Sequence, residues 1–250
     1  MNLKKFSFYK NKVAVNLLAR DLENAKEVQE VLDGHVVIGI LSKNFKTVEE
    51  GVGYVKTYQK DINTISIGLG DGDPNQWKMA AEIAAETDPG HVNQVFPTAA
   101  FTLGLLEGKG CKSTVVNALI RPTGEPGKVI ISTGSSSSQM EEAVVSSKVA
   151  LGMLKDAGLM SVKFFNIGGL KYIDDLKNIA KTAVQVGIPI IEPTGGISLV
   201  NIKSIVKVCL DAGIEIVIPH VYSSAIDEKT GLTNPIIVKK IYDEIQSLFK

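Results

Sequence analysis

Ser161-Val162-Lys163-Phe164-Phe165-Asn166-Ile167-Gly168-Gly169 sets one lysine in the middle of a stretch that otherwise reads as a fully buried strand. At a period of two, Val162 and Phe164 face one side while Lys163, Phe165 and Ile167 face the other. The ammonium has no short route to water from either face. Burial disfavours the charged form and lowers the pKa, which turns a lysine into a nucleophilic amine able to form a Schiff base with a carbonyl substrate. The same stretch also suits a lysine that snorkels to a strand end or pairs with a carboxylate elsewhere in the chain.

Outward from this strand, short apolar runs alternate with helical periodicity along the whole chain. Before it come strands over Lys12 to Leu18, His35 to Leu41, Thr64 to Gly70, His91 to Phe96 and Val115 to Arg121. The intervening helices run from Leu22 to Gly34, Thr47 to Lys60, Pro74 to Glu86 and onward to about Glu107, with Pro74 at a first turn that tolerates proline. After the fifth strand the Pro-Thr-Gly-Glu-Pro-Gly-Lys segment is turn chemistry, and Val129 to Ser132 is again apolar. The expectation there is a β-hairpin appended to the barrel strand, followed by a long helix from Gln139 to Ala157. Beyond the lysine strand, helices over Asp174 to Val186, Leu199 to Ala212 and Asn234 to Phe249 alternate with strands at Ile188 to Glu192 and Glu215 to Pro219.

Eight strand-helix units in 250 residues predict a TIM (β/α)8 barrel as a single α/β domain over residues 1–250, with the hairpin after strand five. An open doubly wound sheet is the competing architecture. The charge balance, 27 basic against 27 acidic residues, argues for neither nucleic acid nor membrane as a partner. The opening Met-Asn-Leu-Lys-Lys-Phe lacks the apolar run of a signal peptide, so a cytoplasmic location is expected. Cys111 and Cys209 form no Cys-x-x-Cys pair and read as small buried hydrophobes.

In a barrel, chemistry belongs at the C-terminal ends of the strands. Those ends carry Arg20, Asp71 with Asp73, Arg121, Glu192 with Thr194, and His220 with Tyr222. Arg20 and Arg121 are the only arginines of the chain, and the guanidinium fork suits a carboxylate or phosphate; salt bridges to Asp21 and another neighbour are the structural alternative. The loop Pro193-Thr194-Gly195-Gly196-Ile197-Ser198 precedes a helix, where converging N–H groups favour an anion, although Ser198 could equally be an N-cap. Ser132-Thr133-Gly134-Ser135 is a second such candidate, with capping as its simpler role.

Val162-Lys163-Phe164-Phe165 followed by Glu192-Pro193-Thr194-Gly195-Gly196-Ile197-Ser198 resembles the Schiff-base strand and phosphate loop of the keto-deoxy-phosphogluconate (KDPG) aldolases, metal-free class I TIM-barrel enzymes. The resemblance is closer to their longer relatives, the KDGP aldolase family of glucosaminate catabolism. They share His91-Val92-Asn93-Gln94-Val95-Phe96, the Asn117-Ala118-Leu119 and Pro122-Thr123-Gly124 segments, and Pro219-His220-Val221-Tyr222. It covers nearly the whole chain. It implies cleavage of 2-keto-3-deoxy-6-phosphogluconate to pyruvate and glyceraldehyde 3-phosphate through an imine on Lys163, with no cofactor and no metal. A small phosphorylated keto-deoxy sugar acid is then the partner molecule, and a homo-oligomer is expected.

The pattern departs from the shorter aldolases at strand two, whose end, Leu41-Ser42-Lys43-Asn44, has no carboxylate to transfer the proton. Glu192, one strand from Lys163, takes that role in this reading, with His220 next and Asp71 third. Thr194 with Arg20 or Arg121 would hold the pyruvate carboxylate, and Gly195, Gly196, Ile197 and Ser198 the phosphate. Three other readings stay open: 4-hydroxy-2-oxoglutarate as the substrate, a non-catalytic barrel that only binds a sugar phosphate, and a metal-dependent aldolase on His91, His220, Glu192 and Asp71. The last is disfavoured because the three histidines of the chain form no paired motif.

Overall fold

A computed structural model describes residues 3–250. Its strands and helices are β1 (Val15–Leu18), α1 (Leu22–Val31), β2 (Val36–Leu41), α2 (Val48–Tyr58), β3 (Ile65–Gly68), α3 (Trp77–Thr87), β4 (Gly90–Val95), α4 (Phe96–Gly108), β5 (Val115–Pro122), β6 (Lys128–Ile130), β7 (Val144–Ser146), α5 (Ser147–Asp156), β8 (Ser161–Phe165), α6 (Ile173–Val186), β9 (Ile190–Thr194), α7 (Ile202–Asp211), β10 (Ile216–Val217), β11 (His220–Val221) and α8 (Pro235–Gln246). β1 to β5 pair in sequence, all parallel, and β5 continues to β8 and β9. β10 and β11 share the eighth position. Asn16 pairs with His220, and His220 with Thr194, which joins β1 to β9 through β11 and closes the ring. The fold is a parallel eight-stranded (β/α)8 barrel, and the open sheet is excluded.

Period two sorts the side chains. Val15, Leu17, Ile38, Ile65, Val92, Ala118, Val162 and Phe164 point outward and are buried under the helices in the main apolar core. A smaller cluster, Ala14, Val37, Val115, Ile190, Ile216 and Ile218, packs with Leu3, Phe6 and Phe8 at the N-terminal end of the barrel. Phe6 lies edge-on to His91, with ring centroids 6.5 Å apart. The chain start thus closes the lower mouth, leaving the C-terminal face as the open one.

After β5 the chain turns back as a further strand, and the expected long helix is cut short. β6 pairs antiparallel with β5 through Arg121↔Ile130 and Pro122↔Val129, and β7 then pairs antiparallel with β6. Where the expected helix would begin, the chain forms a short 3-10 turn (Ser137–Gln139) and strand β7, and α5 begins only at Ser147, whose approach is capped by the Ser146 side chain accepting from the N–H of Val149. The reason is visible in the residues: Val144 and Val145 are β-branched and find a partner edge on β6. At the eighth position the expected strand is split between β10 and β11, with Pro219 in the gap.

Candidate active site

Inward-facing positions on the barrel strands carry polar side chains where the outward-facing ones carry aliphatic residues. Ser66 on β3, His91 and Asn93 on β4, Asn117 on β5, Ser161 and Lys163 on β8, Glu192 on β9, His220 on β11 and Asn16 on β1 are all buried. A cleft of about 280 Å³ opens above them on the C-terminal face, and Asn93, Lys163, Thr194, His220, Tyr222 and Asp71 are among its walls. Part of the pattern is legible once the strands are placed: His91 and Asn93 on β4, and Ser161 and Lys163 on β8, stand two residues apart, so both members of each pair face the barrel interior.

Lys163 is 7% exposed. Its Nζ donates to Asn93 Oδ1 at 3.3 Å and lies 3.5 Å from Nδ1 of His220. Among the described residues, no acidic side chain forms an ion pair with it. Burial pushes its pKa down from 10.5 to about 8, against the opposing pull of the Glu192 and Asp71 charges. The amine therefore faces the cleft mostly charged at neutral pH, with a neutral fraction of about a tenth at pH 7 that a free lysine lacks.

Glu192 sits below the cleft and does not line it. Its Oε1 accepts from His91 Nε2 at 2.9 Å and Ser161 Oγ at 2.8 Å, while Oε2 accepts from His220 Nε2 at 2.6 Å. Burial raises the carboxyl's pKa, but the two imidazoles outweigh it and hold the group well below the usual carboxylate range. Both imidazoles donate Nε2–H to the carboxylate, and Nδ1 of His220 is then the acceptor of a neutral ring. His91 Nδ1 lies in hydrogen-bond contact with Ser66 Oγ at 2.7 Å, and Ser66 Oγ accepts from Asn93 Nδ2 at 3.0 Å. Asn93 Oδ1, the partner of Lys163, also accepts from Asn117 Nδ2 at 3.0 Å. One connected network thus holds the amine and the carboxylate while keeping them apart.

His220 Nδ1 accepts from Tyr222 Oη at 2.7 Å. Its pKa is pushed down to about 3, chiefly by burial and then by the charge on Lys163, with Glu192 opposing. Burial, followed by the charges of Glu192 and Asp71, pushes the Tyr222 phenol up. Asp71 stands at the rim with a 91% exposed side chain, 3.4 Å from Lys43 Nζ.

The other expected residues divide. Thr194, Gly195, Gly196 and Ile197 line the cleft, whereas Ser198 does not. The N–H of Ser198 donates to Asn201 Oδ1, and α7 starts at Ile202, so Ser198 is not its cap. Gly196 (φ 66°) packs against the β8–α6 loop so closely that a Cβ would stand 2.5 Å from the Gly169 nitrogen. The N–H of Gly169 donates to the Gly195 carbonyl at 2.9 Å, tying the two loops together. Neither arginine faces the cleft. Arg20 pairs with Asp21 at 2.8 Å and Arg121 with Glu142 at 2.9 Å, and they line other surface hollows. In the Ser132–Ser135 loop, Thr133 Oγ1 accepts from the Phe96 N–H and Ser132 Oγ from the Ala143 N–H, which is turn and cap chemistry. The sequence reading gave no role to Ser66, Asn93, Asn117, Ser161 or Tyr222, and the one role it weighed for His91 was that of a metal ligand.

Residues 9–229 match the family model described as KDGP aldolase. The chain belongs to the KDGP aldolase family. Membership places it among the aldolases, which are lyases. A family relative in Salmonella typhimurium (strain 14028s / SGSC 2262), named 2-dehydro-3-deoxy-phosphogluconate aldolase, is 48% identical over 246 residues, covering 98% of this chain and 100% of the relative. Among solved structures, the tryptophan synthase α-subunit of Pyrococcus furiosus superposes on this KDGP aldolase family member with a TM-score of 0.61 at 14% identity, covering 96% of this chain and 100% of the other. KGPDC from Streptococcus mutans does so with a TM-score of 0.58 at 12% identity, covering 96% and 100%. At those identities the likeness is one of fold. No helix among the described residues of this family member is long and apolar enough to cross a membrane.

Proposed function

We propose that this chain is a class I aldolase that cleaves 2-keto-3-deoxy-6-phosphogluconate to pyruvate and glyceraldehyde 3-phosphate through an imine on Lys163. The observation that carries the reading is the Lys163 amine: buried, without an acidic partner, depressed to about 8, and facing a cleft. The name of the Salmonella relative supports the choice of substrate.

In this mechanism the neutral amine attacks the C2 ketone, and loss of water with uptake of one proton from solvent, given back at the final hydrolysis, leaves a protonated imine. A base takes the C4 hydroxyl proton, the C3–C4 bond breaks, and its electron pair moves into the imine to form a neutral enamine. Glyceraldehyde 3-phosphate leaves, a proton is returned to C3, and hydrolysis of the imine releases pyruvate and restores the amine. Thr194 and the Gly195–Ile197 backbone are the groups assigned to the anionic ends of the substrate, in a loop that only glycine lets approach Gly169 so closely. Glu192 acts here as a fixed anion behind His220 and not as the group that touches substrate.

Two assays test this. Borohydride reduction in the presence of pyruvate should attach the ligand covalently to wild-type protein and not to Lys163→Ala; undiminished labelling of that variant refutes the assignment. Coupled pyruvate release across phosphorylated and non-phosphorylated 2-keto-3-deoxy acids, with 4-hydroxy-2-oxoglutarate included, decides the substrate. Ligand binding without any pyruvate released would favour a non-catalytic barrel.

A further inference from the structure

We propose that Tyr222 is the catalytic residue that exchanges a proton with the substrate, passing it to His220, which Glu192 holds in place. This rests on the imine reading above, which needs a group to take the C4 hydroxyl proton and later return a proton to C3.

The candidates facing the cleft are few. Glu192 is fully buried, and its two oxygens are occupied by His91, Ser161 and His220. Asp71 is at the rim in water, beside Lys43. Tyr222 and His220 both line the cleft, and the phenol oxygen lies 2.7 Å from Nδ1. Lys163 Nζ stands 3.5 Å from the same Nδ1, so the ring's single lone pair belongs to the tyrosine, and the amine remains close enough for its charge to be felt. Tyr222 Oη also lies 3.3 Å from Asn16 Oδ1, a second acceptor that competes with Nδ1 for the single phenol proton at the longer distance.

A serine, histidine and carboxylate use the same order of contacts when the hydroxyl gives its proton to the ring and the carboxylate supports the imidazolium. Here the phenol hands its proton to Nδ1 while accepting the C4 hydroxyl proton. It never has to persist as a phenolate, the form that burial disfavours. The charge bookkeeping closes at each step. The protonated imine carries one positive charge beside His220, which keeps the ring neutral. When the C3–C4 electron pair flows into the imine nitrogen that charge disappears, and the proton arriving at Nδ1 restores it on a ring whose Nε2–H is 2.6 Å from the Glu192 carboxylate. Return of the proton through Tyr222 to C3 converts the enamine to the imine of pyruvate and leaves His220 neutral again.

The test uses pyruvate alone, whose methyl group exchanges protons with solvent by the reverse of the last step. Borohydride trapping and methyl exchange in D2O, followed by proton NMR, are compared for wild type and Tyr222→Phe. Tyr222→Phe should trap pyruvate at a rate within about threefold of wild type while exchange slows on the order of 10²- to 10⁴-fold. Exchange within about tenfold of wild type overturns the relay. Loss of trapping in step with exchange overturns it too, because the hydroxyl would then serve the fold or imine formation. Failure of wild type itself to trap pyruvate is a different result: it removes the imine reading, and the relay with it.

Discussion

Nε2 of His220 lies 2.6 Å from Oε2 of Glu192, and that contact is sealed beneath the cleft floor. The carboxylate therefore acts on the site through its charge and through the rings it orients. Its charge is also the larger of the two that raise the pKa of Lys163. Glu192→Gln keeps the volume and removes the charge, so the lysine pKa should fall further below about 8. The pH midpoint of pyruvate trapping should move to lower pH, and turnover should fall on the order of 10²-fold as His220 loses its support. An unshifted midpoint would mean that the carboxylate does not act on the amine.

Imine formation requires the neutral amine, so the trapping rate of the wild type should climb as pH rises through about 8 and then level off. A profile still rising steeply beyond pH 10 would mark an ordinary solvated lysine.

The same burial costs stability, with a definite sign. Below pH 8 the lysine is charged in both folded and unfolded chains, and the folded state bears the whole penalty. Between about 8 and 10.5 the unfolded chain binds more protons, so stability rises with pH; above 10.5 the penalty is gone. Lys163→Met should therefore be the more stable protein at pH 7, by about 1–3 kcal/mol after loss of the Asn93 hydrogen bond. That advantage should shrink toward zero near pH 10.5, as read by urea unfolding at the two pH values.

Gly196→Ala puts a methyl group against the Gly169 backbone at a position with φ 66°. It should destabilise the fold by about 2 kcal/mol or more and raise KM for phosphorylated substrates more than for non-phosphorylated ones. Thermal melting and the two KM values check this, and equal KM changes would argue against a phosphate site in the loop.

Arg20 is bound to Asp21 at the surface, with side chains 51% and 44% exposed. Arg20→Ala should change stability by less than about 1 kcal/mol and leave KM for the keto acid within about twofold. A tenfold rise in KM would return the arginine to the site.

What was legible in the sequence was whatever depends on local periodicity. Alternating runs and helical stripes announce the eight strand-helix units, and Lys163 stands out as a charge in the middle of the otherwise apolar Val-Lys-Phe-Phe. The glycines at 195 and 196 likewise mark a turn by their own chemistry. Closure of the ring was decided elsewhere, by β11, which pairs with β9 and also with β1, some two hundred residues away in the chain. That closure turns Asn16, Ser66, Asn93, Asn117 and Ser161 inward to meet Lys163, Glu192 and two histidines. It also leaves both arginines outside, since a strand end supplies an address on the barrel face but not the direction of a long side chain. Hydrogen-bond partners so far apart in the chain leave no mark on local pattern, so the sequence could single out the lysine while only the tertiary structure could say what stands beside it.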